Sequence, residues 1–275
     1  RYALVALPSV SVLRALRRPP SARDERVAFL GFGAPVLGAA PPPPGSRLFQ
    51  SADEAGATLA DPDVLRAMAP LPGTARELSA MAAALRVPAT ALLTGASATE
   101  AAVKGAPGMA RARIIAFATH GVLPRELSGV EEPGLVFTPP AKASADDDGL
   151  LAASEVARLS LAADWVLLSA CNTASSDGTP GADSLGSLAR SFLYAGASAL
   201  LASHWRVSDE ATGALTVVAL AARGAGLLGS LALQRAMMAI RTGRRADGSA
   251  VAGWNEAWAH PAAWGAFTVI SNADD

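Results

Sequence analysis

Two short apolar runs, each closing on small polar residues, place the strongest constraint on how this chain of 275 residues can fold. One spans 114–119 and is followed by His120 and Gly121, and the other spans 165–170 and is followed by Cys171. Continuous apolar runs of about four to eight residues are typical of strands buried on both faces of a parallel sheet. Because ligands in such sheets lie beyond the carboxyl ends of the strands, we expect His120 and Cys171 to emerge at one edge.

Segments with strand and helix patterns alternate along most of the chain. Further strands are predicted at 26–33, 90–93 and 197–203, and helices at about 74–86, 185–194, 209–223 and 228–241. This alternation predicts an α/β fold of three layers, with a mostly parallel central sheet and helices on both faces. Thr74 and Glu77 form a capping-box pattern at the start of the first helix, and 266–270 is predicted as an edge strand.

The segment between the two apolar runs has a less regular pattern. Its residues 131–138 and 149–151 are predicted as the arms of a hairpin around an acidic tip, 146–148. The tip lacks the spaced oxygen ligands of a known calcium loop, so we interpret it as a solvated turn. The proline-rich segment 39–45 is interpreted as a rigid surface loop, because successive prolines remove backbone donors and fix φ.

Cys171 is the only cysteine in the chain, so no internal disulfide can form. The simplest interpretation of a lone cysteine is a small buried apolar residue. A histidine at the same sheet edge indicates chemistry instead, because imidazole can accept the thiol proton and then pair with the thiolate. His120 precedes Cys171 by 51 residues, close to the spacing of about 50 in caspase-type proteases. Gly121 lacks a Cβ, so its N–H can approach a developing oxyanion.

Two other histidines compete for the role of base. His204 also ends a predicted strand, one that is expected to neighbour the strand leading to Cys171. We assign the base to His120, because Gly121 follows it and the spacing fits. His260 precedes a proline and is interpreted as a surface or packing residue.

Five blocks of sequence together resemble the CHAT domain, a bacterial branch of the caspase and separase clan (peptidase clan CD) that is often attached to tetratricopeptide repeats. They occur in the family's order and the resemblance covers about residues 1 to 273. The blocks are Phe117-Ala-Thr-His-Gly121, Leu167-Leu-Ser-Ala-Cys-Asn-Thr173, Phe192-Leu-Tyr-Ala-Gly-Ala197, Ala202-Ser-His-Trp-Arg-Val-Ser-Asp-Glu-Ala-Thr212 and His260-Pro-Ala-Ala-Trp-Gly-Ala-Phe267.

The resemblance implies a caspase-like three-layer sandwich and a cysteine endopeptidase that acts on a protein substrate. His120 and Cys171 become the catalytic dyad. The backbone amides of Gly121 and Cys171 become the oxyanion donors. A tetratricopeptide-repeat domain or another regulatory partner is expected.

Asp209 has two interpretations. It directly follows Ser208 at the start of a predicted helix, where a carboxylate is favoured as a cap or by the helix dipole. The stretch from Trp205 to Asp209 also resembles separase relatives, whose corresponding aspartate lines the pocket for a basic residue just before the cleaved bond. Trp205 is then a substrate-binding candidate, with Asp183 and Asp177, in the loop behind the cysteine, as less favoured contributors.

Composition excludes several functional classes. The formal net charge is −1 with both signs interspersed, which gives no indication of general nucleic-acid or anionic-membrane binding. Apolar residues make up 51%, yet no run is long enough to predict a membrane span. One cysteine and three histidines form no zinc spacing, so we expect neither a metal nor another cofactor. The G-x-G-x-x-G match at 224–229 follows a helix, not a strand, and is interpreted as a helix-to-helix connection.

We expect one domain over residues 1–275, with 1–25 as an N-terminal strand or hairpin extension packed on it. Because the chain begins at Arg1, we expect it to be the C-terminal part of a longer protein. The single cysteine and the absence of a visible signal peptide favour the cytoplasm. A second hypothesis of another class is a catalytically idle CHAT module that serves as a protein-interaction scaffold.

Overall fold

The computed structural model describes residues 5–6, 26–38, 49–52, 58–122, 132–169, 182–205 and 207–271; at 5–6, 49–52, 58 and 182–187 only the backbone is described. Cys171, Asp177, the proline-rich segment 39–45 and most of 1–25 lie outside these ranges. The strands are β1 (Val5–Ala6), β2 (Val27–Gly33), β3 (Phe49–Ala52), β4 (Thr58–Ala60), β5 (Leu92–Thr94), β6 (Ala112–Ala118), β7 (Gly121–Val122), β8 (Gly134–Val136), β9 (Leu150–Ala152), β10 (Trp165–Leu168), β11 (Ala199–Ser203) and β12 (Phe267–Ser271). The helices are α1 (Pro62–Arg66), α2 (Thr74–Ala84), α3 (Glu100–Lys104), α4 (Ala153–Val156), α5 (Ala182–Ala195), α6 (Asp209–Gly224) and α7 (Gly229–Thr242).

Seven strands form the central sheet, in the order β1-β12-β11-β10-β6-β2-β5. The strands from β11 to β5 run parallel to one another, whereas β12 runs antiparallel to β11. The predicted α/β class, with a mostly parallel sheet, is therefore confirmed. The prediction of 266–270 as an edge strand is wrong, because β1 pairs with the outer side of β12 and covers that edge.

Alternate residues of the central strands pack into two separate cores, one on each face of the sheet. Phe117 and Leu168 face a core completed by α3, α4 and α5. Ala118 and Leu167 face the opposite core, which is completed by α2, α6 and α7. Helices therefore cover both faces, as the alternation of elements predicts.

The helix boundaries follow local chemistry. Ser208 caps α6 with its Oγ, which accepts from the N–H of Ala211 at 3.3 Å. Gly196 ends α5 with a φ of +115°, a conformation that favours glycine. The predicted capping box at the start of α2 is wrong: the N-cap is Gly73, and the Thr74 hydroxyl donates to the carbonyl of Leu71 at 2.8 Å.

The predicted hairpin is confirmed as β8 and β9, which pair antiparallel next to β7. Its acidic tip is only partly the solvated turn that the sequence suggests, because Asp146 is exposed but Asp147 and Asp148 are half-buried. Asp148 is half-buried and accepts from the backbone N–H groups of Ala60 at 2.6 Å and Leu150 at 2.9 Å. Burial raises the pKa of the Asp148 carboxyl. The tip therefore fastens the hairpin to β4, because its carboxylate satisfies backbone donors of two strands.

Beneath the hairpin, one lysine joins two carboxylates. The Nζ of Lys104 lies 2.5 Å from Glu100 and 2.7 Å from Glu155. The side chain of Glu100 is 1% exposed, and burial raises its pKa to about 8. This network links α3 to α4.

No helix in the described part of the chain combines the length and the hydropathy that crossing a membrane requires.

Candidate active site

The register of two adjacent strands is described up to a few residues before His120 and Cys171. In the parallel pair of β6 and β10, Phe117 lies opposite Leu168, and the N–H of Ser169 continues the ladder to the carbonyl of Phe117 at 2.9 Å. His120 follows Phe117 by three residues, and Cys171 follows Leu168 by three residues. Adjacent strands are about 4.8 Å apart, so Ser169 lies beside the end of β6.

His120 lies where the chain leaves the central sheet. Strand β6 ends at Ala118 and β7 begins at Gly121 in the small sheet, with His120 between them. The carbonyl of His120 accepts from the N–H of Val136 at 2.9 Å, and the Thr119 hydroxyl donates to the carbonyl of Val136. Both bonds fasten the backbone of this turn to β8, so the imidazole projects from a fixed position.

His120 is 7% exposed, and a backbone group orients its imidazole. Its Nε2 lies 2.7 Å from the carbonyl oxygen of Ala69, in the segment before α2. A carbonyl only accepts, so the hydrogen is assigned to Nε2, and Nδ1 is the acceptor nitrogen of the neutral ring. An imidazole held in this tautomer can take up a proton at Nδ1.

The other two histidines lie in different environments. His204 directly follows β11, the neighbour of β10, as expected, but its side chain is exposed. In the register of β10 and β11, Leu168 pairs with Ala202. His204 follows Ala202 by two residues, whereas Cys171 follows Leu168 by three. His260 is exposed and its Nδ1 accepts from the N–H of Ala262 at 3.2 Å, which confirms the prediction of a surface residue.

Trp205 and Asp209 flank the site on the side of β11. Trp205 is 44% exposed, and its Nε1 donates to the carbonyl of Ala262 at 3.1 Å, which holds the indole at the surface. Asp209 is an exposed residue of the first turn of α6. Its Oδ2 lies against Gly73, so closely that a Cβ at position 73 would be 1.9 Å away. Asp183 belongs to the first turn of α5, and its side chain is outside the described part.

Glu77 adjoins the candidate site, and the sequence patterns do not predict it there. It lies on α2, one turn after Gly73, and is 5% exposed. Its carboxyl hydrogen-bonds to Ser169, the last described residue before the cysteine. Burial, with a smaller contribution from the charge of Asp209, raises the pKa of Glu77 to about 8, so the neutral acid predominates at pH 7.

The sequence contains a signal for the burial of Glu77 but none for the contact of His120 with Ala69. The buried positions of α2 are spaced three and four residues apart, and Glu77 falls on that stripe with Leu78 and Met81, so helical periodicity could have placed it inside. Its match to a capping box instead favours a position at the surface end of the helix. The carbonyl of Ala69 carries no side-chain signal at all, because every residue type supplies the same backbone oxygen.

Among the described residues, no group of three or more histidine, cysteine, aspartate and glutamate side chains is arranged to hold a metal ion.

The family model of the CHAT domain matches residues 1–272. The chain belongs to the CHAT domain family. No curated protein matched the chain. CHAT domains are related to the caspase-like cysteine proteases, and the mixed α/β sandwich described above agrees with that relationship.

Within this CHAT domain, the structure brings four features together at the carboxyl edge of the sheet. These are the imidazole of His120, the end of β10 at Ser169, the exposed Trp205 and the carboxylate of Asp209. All except Trp205 adjoin α2 or the segment before it, through Ala69, Gly73 or Glu77. An imidazole, the carboxyl groups of Asp209 and Glu77 and a strand end at one rim make this edge of the sheet the candidate site.

Proposed function

We propose that this CHAT domain is a cysteine endopeptidase in which His120 and Cys171 form the catalytic dyad. The observation that carries the proposal is the register of β6 and β10, in which both residues stand three positions beyond the pair of Phe117 and Leu168. Equal offsets in sequence from one pair of adjacent parallel strands favour a short distance between the imidazole and the thiol, as proton transfer requires.

In the proposed reaction, Nδ1 of His120 accepts the thiol proton, and the thiolate of Cys171 attacks the carbonyl carbon of the peptide. The imidazolium then gives its proton to the leaving amine as the C–N bond breaks, which leaves an acyl-enzyme. Water attacks the thioester with His120 as base, and the product acid and the free thiol are released. The bond from Nε2 to Ala69 supports this sequence, because it keeps the ring in one tautomer through both proton transfers.

The amides of Gly121 and Cys171 are the proposed donors to the oxyanion. Gly121 pairs with Leu135 of β8, while the adjacent residue Val136 donates to the carbonyl of His120. Hydrogen-bonded and non-hydrogen-bonded pairs alternate along an antiparallel ladder, so the N–H of Gly121 is directed away from β8. A backbone donor next to the base and directed out of its ladder suits a developing negative charge.

Asp209 is the proposed recognition group for a basic residue before the cleaved bond, with Trp205 as the neighbouring wall. Both are exposed at the edge of the sheet on the side of β11. A carboxylate pairs with a guanidinium through two charge-assisted bonds, which gives both affinity and orientation. Asp183, at the start of α5, is a further proposed contributor.

Regulation by an attached or partner domain is part of the proposal, because CHAT domains are often fused to domains that resemble tetratricopeptide repeats. The competing function is that of a scaffold that docks partners without chemistry. An imidazole oriented by Ala69 favours the peptidase, since a scaffold has no need of a fixed tautomer.

The test is cleavage of a denatured-protein peptide library by the wild type and by Cys171→Ala, with cleavage sites read by mass spectrometry. We expect Cys171→Ala to abolish every cleavage while the free energy of unfolding changes by no more than about 1–2 kcal/mol, because the substitution removes one atom. Cleavage that survives in the folded alanine variant would remove Cys171 from the mechanism.

The same library tests the pocket. We expect cleavage after arginine or lysine, and Asp209→Asn should reduce it far more than it reduces alkylation of Cys171 by iodoacetamide. Cleavage after apolar residues that Asp209→Asn leaves unchanged would return Asp209 to the role of a first-turn helix residue.

A further inference from the structure

Helices α2 and α6 pack with their N-terminal turns together, and Gly73 at the N-cap of α2 allows the approach. Asp209 in the first turn of α6 lies against Gly73 at the start of α2. One turn further along both helices, the Cγ of Glu77 lies 3.7 Å from where a Cβ of Gly213 would be. The two carboxyl groups therefore share the same helix interface, Asp209 at the surface and Glu77 one turn deeper.

The deeper carboxyl is incompletely satisfied. The Oε1 of Glu77 is buried and has no hydrogen-bond partner, which is rare for a polar atom in a native interior. The groups that act on the charge of Glu77 are the hydroxyl of Ser169, which directly follows β10, and the carboxylate of Asp209 from α6. In the described part of the chain, neither carboxyl forms an ion pair with a lysine, arginine or histidine side chain.

This contrasts with the other buried glutamate of the domain. Glu100 has a lysine at 2.5 Å and two backbone N–H donors, from Asp148 at 2.8 Å and Gly149 at 3.0 Å. Its partners are complete within the fold, so it serves the structure. Glu77 is just as deeply buried, and it adjoins a second carboxylate instead of a cation.

We propose that Glu77 is the second acidic group of the substrate pocket, so that one cationic side chain of the substrate is held by Asp209 at the mouth and by Glu77 at the base. This inference rests on the proposed function and deepens it, because it assigns a residue that determines the preference for a long cation. A guanidinium has five N–H donors in one plane, enough for both carboxyl groups and the Ser169 hydroxyl.

Release of a proton from Glu77 when a cation binds distinguishes a role in substrate binding from a merely structural role. In the free protein at pH 7, Glu77 is mostly the neutral acid. A guanidinium that arrives between the two carboxyl groups favours the ionised form, so Glu77 releases its proton as the cation binds. Recognition of a cation is then coupled to the release of up to one proton from Glu77.

The first experiment is titration calorimetry at pH 7 with agmatine, which is arginine without its carboxyl group and so carries the same guanidinium. Two buffers of different ionisation enthalpy measure the number of protons released. We expect binding to the wild type with release of roughly one proton, since a group with a pKa of about 8 is about nine-tenths protonated at pH 7. Glu77→Gln should bind agmatine at least about tenfold more weakly and release none. Glu210→Gln, which changes the exposed neighbour of Asp209, is the control and should match the wild type.

The second experiment uses a pair of peptidyl chloromethyl ketones that end in arginine or in citrulline, its neutral isostere. The wild type should react at Cys171 faster with the arginyl reagent, and Glu77→Gln should reduce that preference at least about tenfold without slowing alkylation by iodoacetamide. The inference is overturned if Glu77→Gln leaves both the binding of agmatine and the preference for the arginyl reagent unchanged. It is also overturned if the wild type does not bind agmatine. Proton-linked agmatine binding with no reaction at Cys171 supports the cation site and refutes the peptidase.

Discussion

Glu77→Gln should change how the stability of this domain depends on pH. The unfolded chain has an ordinary glutamate pKa near 4.5, whereas burial in the fold raises it to about 8. The fold therefore holds the proton more tightly than the unfolded chain does, so the contribution to stability is complete below pH 4.5 and is lost as the pH rises through about 8. Each pH unit in this window costs about 1.4 kcal/mol, and the whole window costs roughly 5 kcal/mol.

Glutamine removes this titration and adds a constant penalty. Its amide takes the place of an oxygen that has no partner, which costs about 1–3 kcal/mol at every pH. The variant should therefore be less stable than the wild type at pH 5 and more stable at pH 9, with the two curves crossing near pH 6. Urea unfolding at each pH from 5 to 9 measures the difference, and Glu210→Gln is the exposed control. A difference between variant and wild type that stays constant over this range refutes the reasoning.

The remaining predictions concern the base and the pocket. His120→Ala should lower the rate of peptide cleavage by several orders of magnitude and His204→Ala much less, because loss of one member of a catalytic unit costs nearly as much rate as loss of the whole unit. The reverse order in steady-state kinetics would move the base to His204. Gly73→Ala should displace the carboxylate of Asp209, which lies 1.9 Å from the added Cβ, and so lower the preference for the arginyl over the citrullinyl reagent. Gly224→Ala adds the same methyl group in open space and should leave the preference as it is.

The sequence predicts the central sheet well, because buried parallel strands are continuous apolar runs bounded by turn residues. The apolar runs that form β6 and β10 lie side by side in the sheet, and their carboxyl ends lie at one edge, as their pattern predicts. Strand β1 was harder to place, since two described residues, Val5 and Ala6, pair with β12 and turn a predicted edge into an interior strand.

Interactions between distant parts of the chain are what the sequence does not reveal. The local sequence of the acidic tip is typical of a solvated turn, but in the fold the carboxylate of Asp148 accepts from the N–H of Ala60 in β4. Glu77 matches a local capping pattern, yet its environment depends on α6, which begins more than a hundred residues later. Local pattern describes an isolated helix, whereas the packing of two helices decides which of its polar groups is buried.

The most direct test of the proposed dyad is the pH dependence of alkylation at Cys171. Because the chain has one cysteine, each iodoacetamide adduct counted by mass spectrometry reports on this thiol alone. A neighbouring imidazole stabilises the thiolate, so the wild type should be alkylated at pH values well below the ordinary thiol pKa of about 8.5. In His120→Ala, the midpoint of the pH profile of alkylation should move toward that pKa, and alkylation at pH 6.5 should be slower. Superimposable profiles for the two proteins, both with the ordinary midpoint, would contradict the pairing of His120 with Cys171.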